Sequence, residues 1–297
     1  MKISASLSHY EIPGRVALLA GNGGLTKLAI TTPASTAEIY LLGAHVTGFQ
    51  HHGEPPLLFM SHRSWFAAGK PIRGGVPICY PWFGPREGDV AHGFARIAEW
   101  ELVKTAAAPD GTVTVTLRLP EIPGRTTENQ LRTEFTVTVA ATLTMELATT
   151  NAAAAPLEFE NCLHTYFQVG AIGSVSLIGL QNAPLLDHAA GGNGARKVES
   201  DPALRITRET NRIYPDAVGP VEIRDEKFRR IIRVDKSGSA STVVWNPWTT
   251  QKLPDDFDPA EHAQMVCVES GNVKQNRVAL APGDTARLRV ELSRRTF

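Results

Sequence analysis

The chain has no excess of either charge. Its 297 residues include 30 Lys and Arg and 30 Asp and Glu, so the formal net charge at pH 7 is zero. A neutral chain has no overall attraction for nucleic acid or for an anionic membrane surface. We therefore predict no nucleic-acid partner, and any bound anion must be held by a local cluster of cations.

Long apolar runs are also absent from the sequence. No stretch approaches the roughly 18 consecutive apolar residues of a membrane-spanning helix. The N-terminal segment has a single lysine and a short apolar stretch before Gly21, which is too short and too late for a secretory signal peptide. We expect a cytoplasmic protein without a membrane partner.

Cysteine is scarce, with three residues in the chain. Cys79, Cys162 and Cys267 lie far apart in apolar segments, and they form neither a CxxC pair nor a zinc-ribbon spacing. Buried, reduced thiols are the interpretation that fits a reducing cytoplasm. A chain of this length can bury a substantial core without disulfides or metal ions, and we predict neither.

Helical periodicity is weak throughout, and residues 61–68 are the one segment that indicates a short helix. Alternation with period two dominates instead, as in TVTVTLRL at 112–119, FTVTVAATLTMEL at 135–147 and ARLRVEL at 286–292. Turns rich in Gly and Pro separate more than a dozen such segments. Many short strands without intervening helices predict an all-β sandwich, and the lack of a linker favours one domain over residues 1–297.

Cationic and aromatic residues concentrate in PIRGGVPICYPWFGPREGDVAHGFAR at 71–96. Arg73 precedes two glycines, whose lack of a Cβ lets a ligand approach the backbone, and a guanidinium can fork onto phosphate or sugar oxygens. In an extended chain, His92 and Arg96 would share one face and could contact one ligand. Taken singly, each of these residues is also consistent with an ordinary surface position.

Two further segments carry candidates for acid–base chemistry. Alternation in FENCLHTYFQVG at 159–170 predicts a polar strand face formed by Glu160, Cys162, His164 and Tyr166. Glu269 ends the apolar run of MVCVESGNV, where a carboxylate beside buried side chains can have its pKa raised. A structural histidine and an ordinary carboxylate at a strand end are the alternatives for the two residues taken alone.

Tryptophan occurs in YPWFGP at 80–85 and in VVWNPWTTQ at 243–251. The apolar face of a pyranose can stack on an indole ring, so tryptophans beside a polar cleft suit sugar binding. The same side chains can instead fill the core, and we expect part of each cluster to do so.

The order of these segments resembles a known family. RGGVPICYPWFGP, AHGFAR, FENCLHTYFQVG, VVWNPW and VCVESGNV follow one another as in the hexose-6-phosphate mutarotases, or glucose-6-phosphate 1-epimerases, of the aldose 1-epimerase superfamily. The resemblance runs from about residue 24 to residue 292. It implies a galactose mutarotase-like β-supersandwich, in which large twisted antiparallel sheets leave one concave sugar cleft.

The resemblance also implies a reaction, the interconversion of α and β anomers at C1 of glucose 6-phosphate or a similar hexose 6-phosphate. Such a reaction needs a base at O1 and an acid at the ring oxygen O5, with no cofactor, metal or nucleotide. By the family pattern, Glu269 is the base and His164 the acid, held on opposite sides of the hemiacetal. His92 would stabilise charge near the reacting oxygens, and Arg73 and Arg96 would orient sugar or phosphate oxygens.

One position departs from the family pattern. Relatives usually carry Asp in the segment equivalent to RETNRIYPDA at 208–217, where it accepts hydrogen bonds from sugar hydroxyls, and this chain has Asn211. An amide keeps one acceptor oxygen and loses the charge. The resemblance therefore implies that Asn211 binds substrate with an altered preference, or that the nearby Asp216 takes over this contact.

Two other interpretations of the residues stay open. A non-catalytic carbohydrate-binding sandwich would share the cleft and the aromatic residues but would need no acid–base pair. A metal-dependent barrel of the cupin type would use His51, His52, His62 or His92. The adjacent His51 and His52 would point to opposite faces of a strand, so both seldom bind one ion.

Two arginines in a neutral chain favour a small phosphorylated sugar as the ligand. We also expect the protein to act as a monomer.

Overall fold

Strands make up nearly all of the regular structure in the computed structural model, which describes residues 5–190 and 192–297. These residues contain 22 strands: β1 Val16–Ala20, β2 Thr26–Thr31, β3 Ser35–Tyr40, β4 His45–His51, β5 Ile78–Cys79, β6 Glu101–Ala107, β7 Val113–Arg118, β8 Leu131–Val139, β9 Leu143–Asn151, β10 Leu157–Phe159, β11 Asn161–Leu163, β12 Tyr166–Gln168, β13 Val175–Ile178, β14 Pro184–Asp187, β15 Ala195–Val198, β16 Thr210–Tyr214, β17 Val221–Asp225, β18 Arg230–Ser237, β19 Ser241–Asn246, β20 Met265–Asn272, β21 Val278–Leu280 and β22 Thr285–Thr296. The expectation of an all-β fold is confirmed.

The helices in the described part of the chain are short 3-10 segments: Ala5–Tyr10, Asn22–Gly24, Ala95–Ile97, Glu128–Gln130, Ile172–Ser174, Pro259–Gln264 and Lys274–Asn276. The longest of them has six residues. Within residues 5–190 and 192–297, no helix has the length and apolar character required to traverse a lipid bilayer.

Two eight-stranded antiparallel sheets form the body of the fold. The inner sheet has the order β15-β14-β16-β19-β20-β11-β5, with β12 also paired to β20. The outer sheet has the order β13-β17-β18-β22-β9-β8-β7-β6. A four-stranded sheet, β1-β2-β3-β4, and the two-stranded pair β10-β21 complete the architecture.

The core lies between the inner and outer sheets. In β8 and β9, buried residues alternate with more exposed ones, as the period-two sequence pattern predicts. The buried Val115, Phe135 and Leu147 of the outer sheet join Val244 and Val268 of the inner sheet in one apolar cluster. Burial of apolar surface stabilises such a core by about 25 cal/mol per Å². One face of the inner sheet packs in this core, and its opposite face is not part of the contact between the two sheets.

The alternation at 135–147 belongs to two strands and not to one. β8 ends at Val139 and β9 begins at Leu143, which is its direct partner across the pair. Residues 140–142 form the turn, where the N–H of Ala140 donates to the carbonyl of Thr142 at 2.9 Å. Because a three-residue turn keeps the alternation in phase, the sequence pattern passes through the hairpin without a break.

Residues 61–68 form turns, so the prediction of a short helix there was wrong. The Oγ of Ser61 donates to the carbonyl of Asp256 at 2.9 Å and to Oε2 of Glu261 at 2.7 Å. The backbone N–H of His62 donates to Oε1 of Glu261 at 2.8 Å. A segment of this length has little helical stability of its own, so bonds to a distant loop decide its conformation.

Candidate active site

The strand β20 turns one row of side chains toward the core and the other row away from it. Val268 packs in the main apolar core, whereas Cys267 and Glu269 belong to the opposite face because side chains alternate along a strand. Trp245 pairs directly with Cys267 in the neighbouring strand β19 and therefore shares that face. We call this second face of the inner sheet the site face.

His164 lies opposite Glu269 because β11 and β12 pair with β20 in one continuous antiparallel register, in which Leu163 faces Ser270 and Tyr166 faces Cys267. The N–H of His164 donates to the carbonyl of Pro77 at 3.0 Å, outside the regular pairing with β20. Its Nε2 lies 3.2 Å from Oε1 of Glu269. The two side chains are thus in contact, and do not stand apart on opposite sides of a sugar-sized gap. Because O1 and O5 of a pyranose are bonded to the same carbon, two adjacent groups can still reach both oxygens.

Burial shifts the pKa values of Glu269 and His164 in opposite directions. Desolvation raises the pKa of Glu269 well above its usual value, because the charged carboxylate is disfavoured. Desolvation, together with the nearby His92 and Arg96, lowers the pKa of His164 well below its usual value. Between those two pKa values the pair holds one proton in total, either as carboxylate and imidazolium or as carboxylic acid and imidazole.

Aromatic and thiol side chains fix the geometry of this pair. The ring of Tyr166 stacks on that of His164, with centroids 4.8 Å apart and an interplanar angle of 14°. Trp245 contacts His164 edge-on at 6.0 Å. On the carboxylate side, the thiol of Cys162 donates to Oε2 of Glu269 at 3.6 Å. This hydrogen bond opposes part of the upward pKa shift of Glu269.

His92 lies beside the pair, with its ring centroid 5.9 Å from that of His164. The N–H of Gly84 donates to Nδ1 of His92 at 3.3 Å, so Nδ1 is an acceptor and the proton of the neutral ring sits on Nε2. Burial and the positive charges of Arg96, Arg73 and Lys274 lower the pKa of His92 to about 3. His92 is therefore a neutral hydrogen-bond donor at pH 7.

The segment 91–96 is not extended, contrary to the expectation from the sequence. His92 has a φ of +62°, and Ala95–Ile97 form a 3-10 turn. The segment wraps around the backbone of Tyr80, which donates to the carbonyl of His92 at 3.2 Å and accepts from the N–H of Ala95 at 3.2 Å. A Cβ on Gly93 would lie 1.9 Å from the carbonyl oxygen of Tyr80, so glycine is needed for this close approach.

Arg73 lies next to the pair but is already partnered. Its Nε and Nη2 donate to the carboxylate of Asp256 at 3.2 Å each, and its Nη1 donates to the Oη of Tyr166 at 3.4 Å. The Asp256 side chain is buried, so this ion pair is largely removed from water. Asp256 was not among the residues expected from the sequence, because the loop that carries it has no recognisable motif.

Arg96 has a different environment. Its Nη2 donates to the carbonyl of Ala91 at 2.7 Å, and its Nε is buried without a hydrogen-bond partner. Its charge contributes to the low pKa values of both His92 and His164. Arg96 is thus a cation of the same site, and it has no carboxylate in ion-pair contact among the described residues.

Asn211 pairs directly with Trp245 across β16 and β19, so its side chain is on the site face. Its backbone carbonyl accepts from the N–H of His188 at 2.7 Å, which ties β16 to the segment after β14. Asp216 lies in the turn after β16 with a φ of +65° and is exposed. The register therefore favours Asn211 over Asp216 as a site residue.

The two tryptophan segments behave differently. Trp82 is buried, donates from its indole nitrogen to the carbonyl of Val90 at 2.9 Å and packs against Phe94. It fills the core of its loop. Trp245 is the tryptophan that contacts the acid–base pair, and its indole nitrogen donates to Oε1 of Gln251 at 2.9 Å.

Comparisons with known proteins identify the family of the chain. The family model described as aldose 1-epimerase matches residues 26–293. The chain belongs to the aldose 1-epimerase family. A protein of Cenchrus ciliaris, provisionally named glucose-6-phosphate 1-epimerase, is 33% identical over 268 residues, covering 86% of this chain and 80% of its own. An Escherichia coli protein of the same provisional name is 31% identical over 262 residues and 85% of each chain.

Solved structures of related proteins share the fold. A Salmonella typhimurium protein, provisionally described as a mutarotase, superposes with a TM-score of 0.88 at 25% identity, covering 97% of this chain and 96% of its own. A galactose mutarotase-like protein of Clostridium acetobutylicum has a TM-score of 0.72 at 11% identity, with 95% and 98% covered. The galactose mutarotase-like fold expected from the sequence is confirmed.

The other interpretations of the sequence find no support in this member of the family. Nε2 of His51 and Nε2 of His52 contact the backbone carbonyls of Ala141 and Thr32 at 2.7 and 3.0 Å, so these residues do not converge. Three other groups could approach one cation, since ligand atoms of His164, Cys267 and Glu269 lie within 4.8 Å of one another. A non-catalytic sandwich would have no use for a buried acid–base pair in contact, and nothing in the site favours it.

A large surface groove lies elsewhere in the molecule. Its volume is about 680 Å³, and its lining includes Arg118, Glu134 and Arg287 of the outer sheet. Arg118 pairs with Glu134 at 2.8 Å, and Arg287 pairs with Glu146 at 2.6 Å. Exposed pairs of this kind are typical of a solvated sheet face. The convergence of His164 and Glu269 with Arg73 and Arg96 therefore identifies the candidate active site more firmly than the size of a groove does.

Proposed function

We propose that the protein interconverts the α and β anomers of a hexose 6-phosphate, with His164 and Glu269 as the acid–base pair. The observation that supports this proposal best is the 3.2 Å contact between two buried groups with opposite pKa shifts. Family membership supplies the reaction class, and the provisional name of the relatives supplies glucose 6-phosphate as the first substrate to test.

The proton balance of the pair matches the reaction. Burial favours carboxylic acid and imidazole, so the step begins when Glu269 passes its proton to His164 across their 3.2 Å contact. Glu269 as carboxylate then takes the proton of the O1 hydroxyl while His164 as imidazolium gives a proton to O5, and the C1–O5 bond breaks. The sugar is now an open aldehyde, and the pair has become carboxylic acid and imidazole. Rotation about C1–C2 and the reverse transfers close the ring on the other face. Both states of the pair hold one proton and no net charge, so the buried site never gains an unbalanced charge.

The surrounding residues have roles that follow from their contacts. His92 offers a neutral Nε2–H near the reacting oxygens, where developing negative charge needs a donor. The partly satisfied Arg73 orients sugar oxygens next to Tyr166, and Arg96 supplies positive charge for the phosphate. Asn211 accepts from or donates to a sugar hydroxyl from β16, beside Trp245 on the site face.

The location and the assembly state belong to the same proposal. The three cysteines are free and buried. Since buried free thiols persist in a reducing compartment, we infer a cytoplasmic enzyme. We also infer a monomer, since His164 and Glu269, the residues assigned to the proton transfers, contact each other within one chain.

Exchange spectroscopy tests the proposal directly. The rate of α-to-β exchange is measured by anomer-resolved NMR for glucose 6-phosphate, other hexose 6-phosphates and free glucose, with and without the protein. We expect the protein to accelerate exchange of a hexose 6-phosphate more than that of free glucose. A clear preference for the free sugar would count against the phosphorylated substrate, and no acceleration of any sugar would refute the catalytic role.

A further inference from the structure

A third cation borders the site beyond the two arginines considered above. Lys274 follows β20 directly after Val273, and its side chain turns toward the loop that carries His92. Its Nζ lies 3.4 Å from the carbonyl oxygen of Phe83 and 6.0 Å from the centroid of that ring. The Phe83 ring in turn contacts the His92 ring at 4.9 Å. The ammonium is therefore next to the proposed hydrogen-bond donor of the reaction.

The backbone is held in an unfavourable conformation to place this side chain. Lys274 has a φ of +58°, a region that residues other than glycine rarely adopt. The N–H of Lys274 donates to Oε1 of Glu160, and the other oxygen of that carboxylate accepts from the N–H of Phe83 at 3.0 Å. The half-buried carboxylate of Glu160 thus connects the backbone at Lys274 with the backbone at Phe83. Such strain persists where the surrounding structure imposes it, and it occurs often at ligand sites.

The Lys274 ammonium also packs closely against Gly84. A Cβ built on Gly84 would lie 3.3 Å from Nζ of Lys274. Gly84 also has a φ of +84° and donates its N–H to His92. A larger residue at position 84 would therefore crowd the ammonium as well as disturb the histidine.

The charges of the neighbouring side chains indicate that Lys274 can bind an anionic group. Arg73 is neutralised by Asp256, and the pair of His164 and Glu269 carries no net charge. Among the described residues, neither Arg96 nor Lys274 has a carboxylate within the 4.0 Å of an ion pair. Both cations are thus without a direct ion pair, since the Glu160 carboxylate accepts from the backbone N–H of Lys274 and not from its Nζ. A phosphate monoester carries about −1.5 to −2 charges at pH 7, which matches them.

We propose that Lys274 is a specificity-determining residue that binds the phosphate group of the substrate together with Arg96. The inference rests on the proposed function, because it names the part of the site that distinguishes a phosphorylated sugar from a free one. Lys274 contributes to binding and to orientation, and not to the proton transfers at C1.

The test compares Lys274→Met with Lys104→Met. Methionine keeps the length of the side chain, removes the charge and has the same backbone preference as lysine at a positive φ. Lys104 is exposed on β6 of the outer sheet and controls for the loss of one positive charge from the whole molecule. Anomer exchange of glucose 6-phosphate and of free glucose is measured for both variants, and Lys274→Arg serves as the conservative replacement.

We expect Lys274→Met to lower kcat/KM for glucose 6-phosphate roughly 10- to 100-fold, mainly through KM, because a charge-assisted hydrogen bond is lost. Exchange of free glucose stays unchanged, Lys274→Arg recovers most of the activity, and Lys104→Met matches the wild type. An equal loss for both sugars, or no loss for either, would overturn the inference.

Binding measurements separate this inference from the proposed function. Calorimetric titration of the wild type and Lys274→Met with glucose 6-phosphate and with inorganic phosphate requires no turnover. If the wild type binds these anions more tightly than the variant but catalyses no exchange, the phosphate site stands and the proposed reaction fails. If exchange is catalysed but the variant binds as tightly as the wild type, the reaction stands and the role of Lys274 fails.

Discussion

The inner and outer sheets differ in how far their charged side chains are buried. On the outer sheet, Arg118 and Glu134 form an ion pair in which about half of each side chain is exposed, 50% and 44%. On the inner sheet, β19 and β20 are buried along their whole length, yet Glu269 is 1% exposed and faces His164. An exposed pair costs little and contributes little, whereas a buried carboxylate is expensive to desolvate. The buried polar groups are therefore the ones whose presence calls for a function.

The largest expected difference between the sheets concerns Glu269 and Glu146. Glu269→Gln removes the group that accepts a proton but keeps the shape, so we expect kcat for glucose 6-phosphate to fall roughly 10²- to 10⁴-fold. Binding of the sugar phosphate should survive. The control Glu146→Gln removes a carboxylate from an outer-sheet ion pair with Arg287 and should leave kcat unchanged.

Exchange NMR gives the rates for these two variants, and calorimetry gives their affinities. Full activity in Glu269→Gln would remove this residue from the acid–base pair. A comparable loss in Glu146→Gln would mean that the contrast between the sheets does not separate chemistry from surface charge.

The second difference concerns stability and compares two arginine ion pairs. Arg73→Met leaves the buried carboxylate of Asp256 without its partner, and we expect a loss of about 2 to 3 kcal/mol in the free energy of unfolding. This lies toward the lower end for buried pairs because the Arg73 side chain is 17% exposed. Arg118→Met on the outer sheet should cost less than about 1 kcal/mol.

Urea unfolding followed by tryptophan fluorescence measures both losses. The double variant Arg73→Met with Asp256→Asn removes both buried charges and should recover part of the stability. If Arg73→Met and Arg118→Met cost the same, the Arg73 pair is effectively as solvated as a surface pair.

The smallest expected effect is a dependence of stability on pH that comes from the site. His92 has a folded-state pKa of about 3 against an unperturbed 6.5, so the unfolded chain binds its proton first as pH falls. The stability that neutral His92 contributes is fully present above pH 6.5 and decreases from there down to about pH 3. Between pH 6.5 and 5, this residue should account for at most about 2 kcal/mol of lost stability.

Unfolding of the wild type and of His92→Gln at pH 7.5, 6.5 and 5 isolates this contribution. The difference between the two proteins should change with pH below 6.5 and stay constant above it. A constant difference throughout would show that His92 titrates normally and is open to solvent. The lowered pKa of His164 acts in the same direction, and His92 contributes to it. The difference between the two proteins therefore reports the titration of His92 together with its effect on His164.

Much of the fold could be predicted from the sequence because alternation with period two reports directly on one buried sheet face. The outer-sheet strands β7, β8 and β22 follow it closely. The hairpin turn at 140–142 was hidden because the alternation continues in phase through it. The shared face of His92 and Arg96 was argued for an extended chain, and nothing in the sequence indicates that the segment 91–96 wraps around the Tyr80 backbone. Two-sided burial in β20 also removes alternation as a guide.

The candidate site was predictable to the extent that its residues lie in motifs. His164, Glu269, Arg73, His92 and Arg96 stand in recognisable segments, and the structure brings them together. Asp256 and Lys274 stand in none. Asp256 acts through a loop about 180 residues from its partner Arg73 in sequence, and Lys274 acts through a backbone conformation that only its neighbours impose.

The class of fold, the family and the chemical types available for catalysis follow from the amino-acid sequence, because they depend on local pattern and on residue identity. The contact between His164 and Glu269, the neutralisation of Arg73 by Asp256, and the lack of an ion-pair partner for Arg96 and Lys274 among the described residues depend on how the strands and loops pack. Distances and burial across strands set pKa values and charge balance, and neither can be read from neighbours along the chain.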